Sequence, residues 1–299
     1  MRAVRSRARP PIVKSPRPLL LLGIGLALGL VAGVWIQHRW PLGRVRDELS
    51  VNHQRAPLAP ADLARLPPER RMVLVCVGQS NAANYGEPRA AAGANVYAFA
   101  DDQIFTAIDP LPGGDGYGGS VWTRLGAKLA LSTKADAIVF AVVAEGSTRV
   151  ADWAPGGRCH ERLVRTLHQL RSAGLPADFV LWQQGEQEGR GAAVSGRDYA
   201  RDLAAVHHTT RQFFPAATFL VAQSTFGAGT ALNEQVRLAQ AAAGRQPDAG
   251  VGPDVDRLGE EYRRDGIHFN ARGLSAAADL WFDALQVPLA RRASPTPSP

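Results

Sequence analysis

The sequence predicts an α/β protein, a three-layer α/β/α sandwich around a mostly parallel five-stranded sheet, with one transmembrane helix ahead of it. Two observations carry this prediction. Apolar runs of four to seven residues alternate with helical patterns through residues 71–286, and one long uncharged apolar span lies near the N-terminus. Strand–helix alternation over such a length is typical of a single domain with parallel strands.

Each predicted strand is apolar almost throughout, as parallel strands buried on both faces are. The five strands are predicted at residues 72–77, 96–100, 137–143, 179–182 and 218–222. Helical patterns separate them: Trp122, Leu125 and Leu129 share one helix face, and the segments 199–213 and 274–285 show the same spacing. The strands and helices together indicate a sheet covered on both faces.

The N-terminus has the features of an uncleaved signal anchor. Residues 19–36 are apolar and uncharged, at the short end of what spans a bilayer as a helix. A cleaved signal peptide is the alternative, but the span is long for one and no clear A-x-A site follows. Basic residues precede the span, which places residues 1–18 in the cytoplasm. We expect a single-pass protein of the inner (cytoplasmic) membrane with its folded domain on the extracytoplasmic side.

The positive charge is confined to the leader. The chain carries a formal net charge of +7, yet residues 1–46 hold nine of its 34 basic residues and none of its 27 acidic ones. Nucleic-acid binding would need basic residues clustered on the folded part, so we expect no nucleic-acid partner. The proline-containing segment 37–70 is predicted to be a linker, and residues 287–299 a disordered tail.

The two cysteines leave a disulfide open. Export would take Cys76 and Cys159 out of the reducing cytosol, where a bond between them is allowed. Cys76 lies inside the first predicted strand, however, which favours a buried free thiol.

The stretch VCVGQSNAA, residues 75–83, delivers a serine at the end of the first predicted strand. Ser80 has two interpretations. It is a favoured residue type for capping a following helix. It is also placed where open α/β sheets carry their sites, at the carboxyl end of a strand, as a nucleophile would be.

A nucleophilic serine needs a base, and His268 is the best placed of the seven histidines. It lies in RRDGIHFNARG, three residues after Asp265, where a carboxylate can accept the imidazole Nδ1–H and direct Nε2 toward a serine. A simple Asp-Gly turn with a satisfied histidine is the alternative. His160, in a passage from loop to helix, also stays open as a site residue.

Further polar groups follow two other segments. Glu186 and Glu188 suggest the paired carboxylates of a glycosidase, but an extended segment would point them apart. Gln184, directly after the fourth strand, offers a side-chain amide to an oxyanion. Gly118 and Gly119 precede a helix and offer backbone N–H groups for the same purpose.

Three motifs occur in a characteristic order: G-Q-S-N after the first strand, W-x-Q-G-E after a middle strand and D-G-I-H-F before the last helix. With them the chain resembles the sialate O-acetylesterase-like, carbohydrate acetylesterase branch of the SGNH hydrolases. The resemblance covers residues 71–286 and implies the flavodoxin-like SGNH hydrolase fold. An α/β-hydrolase is disfavoured, since no second glycine completes a G-x-S-x-G elbow.

The resemblance also implies roles for individual residues. Ser80 would be the nucleophile and donate its backbone N–H to an oxyanion hole, His268 the base and Asp265 the residue that orients it. The Gly119 N–H and the Gln184 side chain would complete the hole. The match near Gly119 is poorly fixed in register, so Gly118 is an alternative donor. The family usually has Gly-Gly-Thr/Ser where this chain has Glu145-Gly146-Ser147, a departure that concerns substrate contacts.

The expected function is that of a membrane-anchored extracytoplasmic serine esterase. It would remove O-acetyl groups from a carbohydrate through an acetyl-serine intermediate, without a metal or organic cofactor. Its expected partners are the acetylated carbohydrate and, through the N-terminal helix, the membrane. A carbohydrate O-acetyltransferase with the same triad and a non-catalytic glycan-binding domain are the alternatives. Sequence alone identifies no substrate-binding residues.

The expected topology is testable with a reporter fusion. A periplasmic reporter fused after residue 290 should be active, because the anchor carries the C-terminal domain across the membrane. Reporter activity in intact cells is compared with that of a fusion lacking residues 1–36. Activity of a cytoplasmic reporter alone at the same position would contradict the expectation.

Overall fold

The computed structural model describes residues 53–189, 194–227 and 229–293. The predicted transmembrane segment at residues 19–36 lies outside them. Within the described residues, the helices are too short or too polar to cross a bilayer.

A seven-stranded sheet forms the centre of the fold. Its strands are β1 (Arg71–Gly78), β2 (Val96–Ala100), β3 (Gln103–Thr106), β4 (Ala137–Ala144), β5 (Phe179–Gln183), β6 (Thr218–Gln223) and β7 (Ala249–Asp254). Their order across the sheet is β3-β2-β4-β1-β5-β6-β7. Every neighbouring pair is parallel except β2 and β3, which pair antiparallel. All five predicted strands are present, so the α/β class and the mostly parallel sheet are confirmed.

The prediction of five strands is wrong, because β3 and β7 also join the sheet. β3 is a four-residue edge strand that folds back on β2 through Asp101 and Asp102, both with positive φ. β7 reads AGVGPD, and its two glycines and one proline give it no apolar run. Pairing with the neighbouring strand, rather than intrinsic propensity, makes both segments extended.

Helices cover both faces of the sheet. They are α1 (Pro60–Ala64), α2 (Val121–Ser132), α3 (Val150–Trp153), α4 (His160–Ser172), α5 (Gly196–Phe213), α6 (Glu234–Ala243) and α7 (Ala271–Ala293). Side chains of α2 and α7 pack with one set of strand residues, including Leu74. Side chains of α3 to α6 pack with the alternate set, including Val75. The three-layer arrangement follows from this alternation, because successive strand side chains point to opposite faces.

The two cysteines lie in different layers. Cys76 packs in the cluster with α2 and α7, and Cys159 packs in the cluster on the other face. Both are buried free thiols. The sheet separates them, so the disulfide that the sequence left open does not form in this fold.

The folded region extends beyond both expected boundaries. Leu63 of α1, within the predicted linker, is buried in the core. At the other end α7 continues to residue 293, although the sequence predicted a tail from residue 287. The Arg292 Nε donates to Asp178 Oδ1 at 2.8 Å, which holds the last turns of α7 against the start of β5.

The strand order determines where a site can form. β1 lies between β4 and β5, so the loops after these three strands leave the sheet at one edge. Gly78 ends β1 at a φ of +157°, and a Cβ there would lie 1.9 Å from the Gln183 carbonyl oxygen. Only glycine permits this close approach of β1 and β5.

The packing of α7 onto the sheet is testable at Trp281. Its indole Nε1 donates to Gln183 Oε1 at 2.7 Å, and both residues are fully buried. We expect Trp281→Phe to lower the free energy of unfolding by about 1–3 kcal/mol, since it leaves a buried amide oxygen unpaired. Denaturant unfolding measures the change. Leu131→Ala, at a residue of α2 that is 91% exposed, is the control and should change stability by less than about 0.5 kcal/mol. Equal effects of the two substitutions would contradict this account.

Candidate active site

Ser80 begins a short 3₁₀ turn, Ser80–Ala82, directly after β1. Gln79, not Ser80, occupies the N-cap position of this turn, and its side chain makes no capping hydrogen bond. The amide that opens such a turn faces no carbonyl of the turn itself. Neither the Ser80 hydroxyl nor its N–H bonds to another described residue. Capping therefore does not explain the serine. Its hydroxyl and its backbone N–H are both free of hydrogen bonds to the described residues.

The two amides beside the serine hold its turn in place. Gln79 Oε1 accepts from the backbone N–H groups of Gly185 at 3.3 Å and Gln187 at 3.1 Å. Asn81 Nδ2 donates to Glu186 Oε1 at 2.7 Å and to the Ile267 carbonyl at 3.2 Å. These bonds fix the serine turn between the loop after β5 and the loop that carries His268.

Asp265 and His268 form a hydrogen-bonded pair on one turn. The His268 Nδ1 lies 2.7 Å from Asp265 Oδ2, and Asp265 Oδ1 accepts from the amides of Ile267 and His268. Gly266 has a φ of +82°, which lets the chain reverse between them. Because an ionised carboxylate only accepts, Nδ1 carries the proton and Nε2 presents a lone pair.

The electrostatics of Asp265 suit an orienting role. Partial burial alone would raise the pKa of its carboxyl, but the hydrogen bonds from the His268 ring and from the His268 and Ile267 amides outweigh that effect. The pKa of Asp265 is therefore lowered from its ordinary value. The carboxylate is ionised at neutral pH and accepts from the imidazole.

The serine turn and the histidine loop are in contact. Besides the Asn81–Ile267 bond, the ring of Tyr85 stacks on that of His268 with centroids 4.9 Å apart. The structure thus brings the predicted triad residues onto adjoining loops. No direct hydrogen bond joins the Ser80 hydroxyl to the His268 ring among the described residues. In unliganded enzymes such bonds are often long and tighten when substrate binds.

Gly118 and Gly119 do not offer free amides. The Gly119 N–H donates to the Gly86 carbonyl at 2.5 Å, and the Gly118 N–H donates to the Asn84 carbonyl at 2.6 Å. Both bonds pair the glycine-rich loop with the segment after Ser80, as in a short antiparallel bridge. The Gly119 N–H, and the alternative Gly118 N–H, thus face backbone carbonyls in this structure, and their expected oxyanion role stays a prediction.

The Gln184 side chain is likewise bonded within the protein. It is fully buried, and its Nε2 donates to the Thr148 carbonyl and to Glu188 Oε1, each at 2.9 Å. An amide has two hydrogens, and both are used here. These bonds tie the loop after β4 to the loop after β5, and the expected oxyanion role of Gln184 stays a prediction.

The two close carboxylates of this loop are also structural. Glu186 Oε1 accepts from Asn81 Nδ2 and Ser224 Oγ, and Glu188 Oε1 accepts from the Val150 N–H at 2.6 Å. Both residues are buried, and burial raises the pKa of each carboxyl. Their bonds to neighbouring loops do not support the glycosidase hypothesis.

Sequence reasoning missed Tyr85 and Asp115. The Asp115 carboxylate accepts from the Tyr85 hydroxyl at 2.9 Å and from the Gly146 N–H at 3.0 Å. Burial raises the pKa of this carboxyl. Its signal in the sequence is a single acidic residue within the glycine-rich stretch PLPGGDGYGG. His160, which the sequence left open, instead meets the Trp153 carbonyl through Nδ1 at 3.0 Å.

The structural role of Gln184 is testable by stability. We expect Gln184→Ala to lower the free energy of unfolding by about 1–3 kcal/mol, because the Glu188 carboxylate and the Thr148 carbonyl each lose a hydrogen-bond donor. Gln187→Ala is the matched control in the same loop, since the Gln187 side chain is half-buried and bonds to no described residue. Denaturant unfolding compares the two. A Gln184→Ala protein as stable as the control would show that the buried amide holds nothing in place.

Comparisons with known proteins identify the family to which the chain belongs. A family model described as carbohydrate esterase, sialic acid-specific acetylesterase matches residues 70–285. No curated protein sequence matches the chain significantly. Among solved structures, a protein from Arabidopsis thaliana is 18% identical with a TM-score of 0.59, over 75% of this chain and 99% of that one.

Two further structures share the fold. The crystal structure of NanS is 14% identical with a TM-score of 0.54, over 76% of this chain and 99% of that one. A carbohydrate acetylesterase from Xanthomonas citri is 18% identical with a TM-score of 0.52, over 73% of this chain and 57% of that one. The family match spans most of the described residues and includes Ser80, Asp265 and His268. The chain therefore belongs to the sialic acid-specific acetylesterase family of carbohydrate esterases and is a carboxylic ester hydrolase.

Proposed function

We propose that this protein is a membrane-anchored extracytoplasmic serine esterase that removes O-acetyl groups from a carbohydrate. One observation carries the proposal: the imidazole of His268 is bonded to Asp265 at 2.7 Å, on a loop that contacts the Ser80 turn. The family match supports the acetylated carbohydrate as substrate. The apolar, uncharged composition of residues 19–36 supports the anchor.

Acylation begins at the Ser80 hydroxyl. His268 Nε2 takes the hydroxyl proton while Oγ attacks the carbonyl carbon of the acetyl ester. Asp265 stabilises the imidazolium that forms and keeps its Nδ1–H in place. The imidazolium then gives its proton to the leaving sugar oxygen. The products of this half-reaction are a free sugar hydroxyl and an acetyl ester on Ser80.

Deacylation repeats these steps with water. His268 Nε2 removes a proton from a water molecule, whose oxygen attacks the acetyl carbon on Ser80. The bond to the serine oxygen breaks, the imidazolium returns its proton to that oxygen, and acetic acid leaves and loses its own proton to the solvent. The enzyme is then ready for a further cycle, and no net proton is held by the protein.

Charge on the carbonyl oxygen needs a donor in both halves. The Ser80 N–H is available because it opens the 3₁₀ turn and bonds to no described residue. A fixed backbone donor of this kind stabilises charge that develops only in the transition state. In the proposed mechanism this amide is a donor, and the donors expected from Gly119 and Gln184 stay predictions.

The triad is testable by a mutant cycle. We expect Ser80→Ala, His268→Ala and the double variant each to lower kcat by about 10⁴-fold or more, since residues of one catalytic unit are not additive. Asp265→Asn should cost up to about 10⁴-fold, because it disturbs only the tautomer and orientation of the imidazole. Turnover of an aryl acetate and of acetylated glycans measures the losses. His160→Ala is the control histidine and should keep wild-type turnover.

Three results would contradict the proposal. Losses that multiply in the double variant would mean that Ser80 and His268 do not act in one step. Acetylated sugar as the main product in the presence of an acceptor glycan would indicate a transferase. Glycan binding without turnover by the folded wild-type protein would indicate a binding domain.

A further inference from the structure

Tyr85 lies five residues after the proposed nucleophile, and its ring stacks on the imidazole of His268. The ring centroids are 4.9 Å apart and the planes differ by 25°. We propose that Tyr85, held by Asp115, is a positioning residue that fixes the plane of the His268 ring and stabilises its protonated form. The inference deepens the proposed function and rests on it, because it assigns His268 as the base.

Tyr85 is itself fixed at both ends. Its hydroxyl donates to Asp115 Oδ2 at 2.9 Å, and its carbonyl accepts from Arg264 Nε at 3.1 Å. The first bond joins the ring to the glycine-rich loop, and the second joins the backbone to the loop that carries His268. The ring is half-buried between these contacts.

Asp115 is also rigidly placed. Its backbone N–H donates to the Ala144 carbonyl at 3.1 Å, and its carbonyl accepts from the Asn84 N–H at 2.9 Å. Both carboxylate oxygens lie 3.0 Å from the Gly146 amide nitrogen, in the loop after β4. A Cβ on Gly146 would lie 2.7 Å from the Tyr85 hydroxyl oxygen, so the glycine leaves room for the tyrosine. These bonds thus fix the position of the Tyr85 ring relative to the end of β4, a central strand.

The two contacts of His268 constrain different motions. The bond from Nδ1 to Asp265 fixes one edge of the imidazole, but a single hydrogen bond leaves the ring free to rock about it. The stacked face of the Tyr85 ring, inclined by 25°, restricts that rocking. Together they fix the direction of the Nε2 lone pair, on which proton transfer from Ser80 depends.

The stacked ring also favours positive charge on the imidazole. The electron-rich face of a tyrosine attracts a cation whose centre lies within about 6 Å of the ring centroid. His268 becomes an imidazolium in each half-reaction. The uncharged Tyr85 ring disfavours this positive charge less than a purely apolar contact without water would. The benefit is therefore larger when the imidazole is charged, as it is near the transition state.

Among the described residues, the charged groups around the Asp265–His268 pair include Arg263, whose Nη1 donates to the Ile267 carbonyl at 2.8 Å. Asp265 lies on the same loop, and Arg264 Nη2 lies 3.7 Å from Asp265 Oδ2 while its Nη1 pairs with Glu87. Asp115 is linked to His268 through the Tyr85 ring. Both Tyr85→Leu and Tyr85→Phe remove the hydroxyl that donates to Asp115, whereas only Tyr85→Leu removes the ring, so a difference between their pH profiles reports on the ring itself.

The experiment compares Tyr85→Leu and Tyr85→Phe in the full-length protein with an aryl acetate as substrate. We expect Tyr85→Leu to lower kcat by about 3- to 30-fold, with KM within about twofold of wild type. The acidic limb of the kcat/KM profile should move to lower pH, because the protonated imidazole loses its stacked partner. Tyr85→Phe keeps the ring and should stay within about threefold of wild type. Tyr97→Leu, on β2, is the control and should leave kcat and the pH profile unchanged.

Thermal unfolding checks that each variant is folded, and Tyr85→Met replaces Tyr85→Leu if the latter is not. An unchanged kcat and pH profile in the ring-less variant would overturn the inference, as would a loss in Tyr85→Phe as large as in Tyr85→Leu. Ser80→Ala with wild-type turnover would instead overturn the proposed function. An active wild type, an inactive Ser80→Ala and an unaffected Tyr85→Leu contradict the inference alone.

Discussion

The structure depends on one constraint, the burial of β1 along its whole length between two parallel neighbours. All eight residues of this strand are buried, and it pairs with β4 on one side and β5 on the other. Parallel neighbours bring their carboxyl ends to the same edge of the sheet. The Ser80 turn, the loop with Gly146 and the loop with Gln184 meet there for this reason.

Most polar side chains at that edge hold loops in place. Asn81 bonds to Glu186, and Gln184 bonds to Glu188, so that each buried amide is paired with a buried carboxylate. Leaving such groups unpaired would cost about 1–3 kcal/mol each, which explains why they occur in bonded pairs. The Ser80 hydroxyl is different, because it bonds to no described residue. The surrounding bonds thus leave this hydroxyl free to react.

The fold could be predicted from sequence wherever burial leaves a pattern. The apolar runs of β1 and β4 identify strands buried on both faces, whereas β7 contains two glycines and a proline and forms only by pairing with β6. The Asp265–His268 pair could also be predicted, because three residues across Gly266 determine its geometry.

The oxyanion donors could not be predicted in the same way. Whether an amide is free depends on residues far away in the sequence: the Gly119 N–H is taken by Gly86, and the Gln184 side chain by Thr148. The stacking of Tyr85 on His268 also joins segments that are distant in sequence. Local spacing identifies residue types suited to catalysis, but only the packed loops decide which of their hydrogens are available.

The central claim is that Ser80 is the nucleophile and that His268 activates it. The most direct measurement is labelling of the folded protein with an organophosphonate, followed by peptide mapping by mass spectrometry. The account predicts one label per chain, on Ser80, with labelling slowed by orders of magnitude in His268→Ala. A label on another residue, or equally fast labelling of Ser80 without His268, would contradict it.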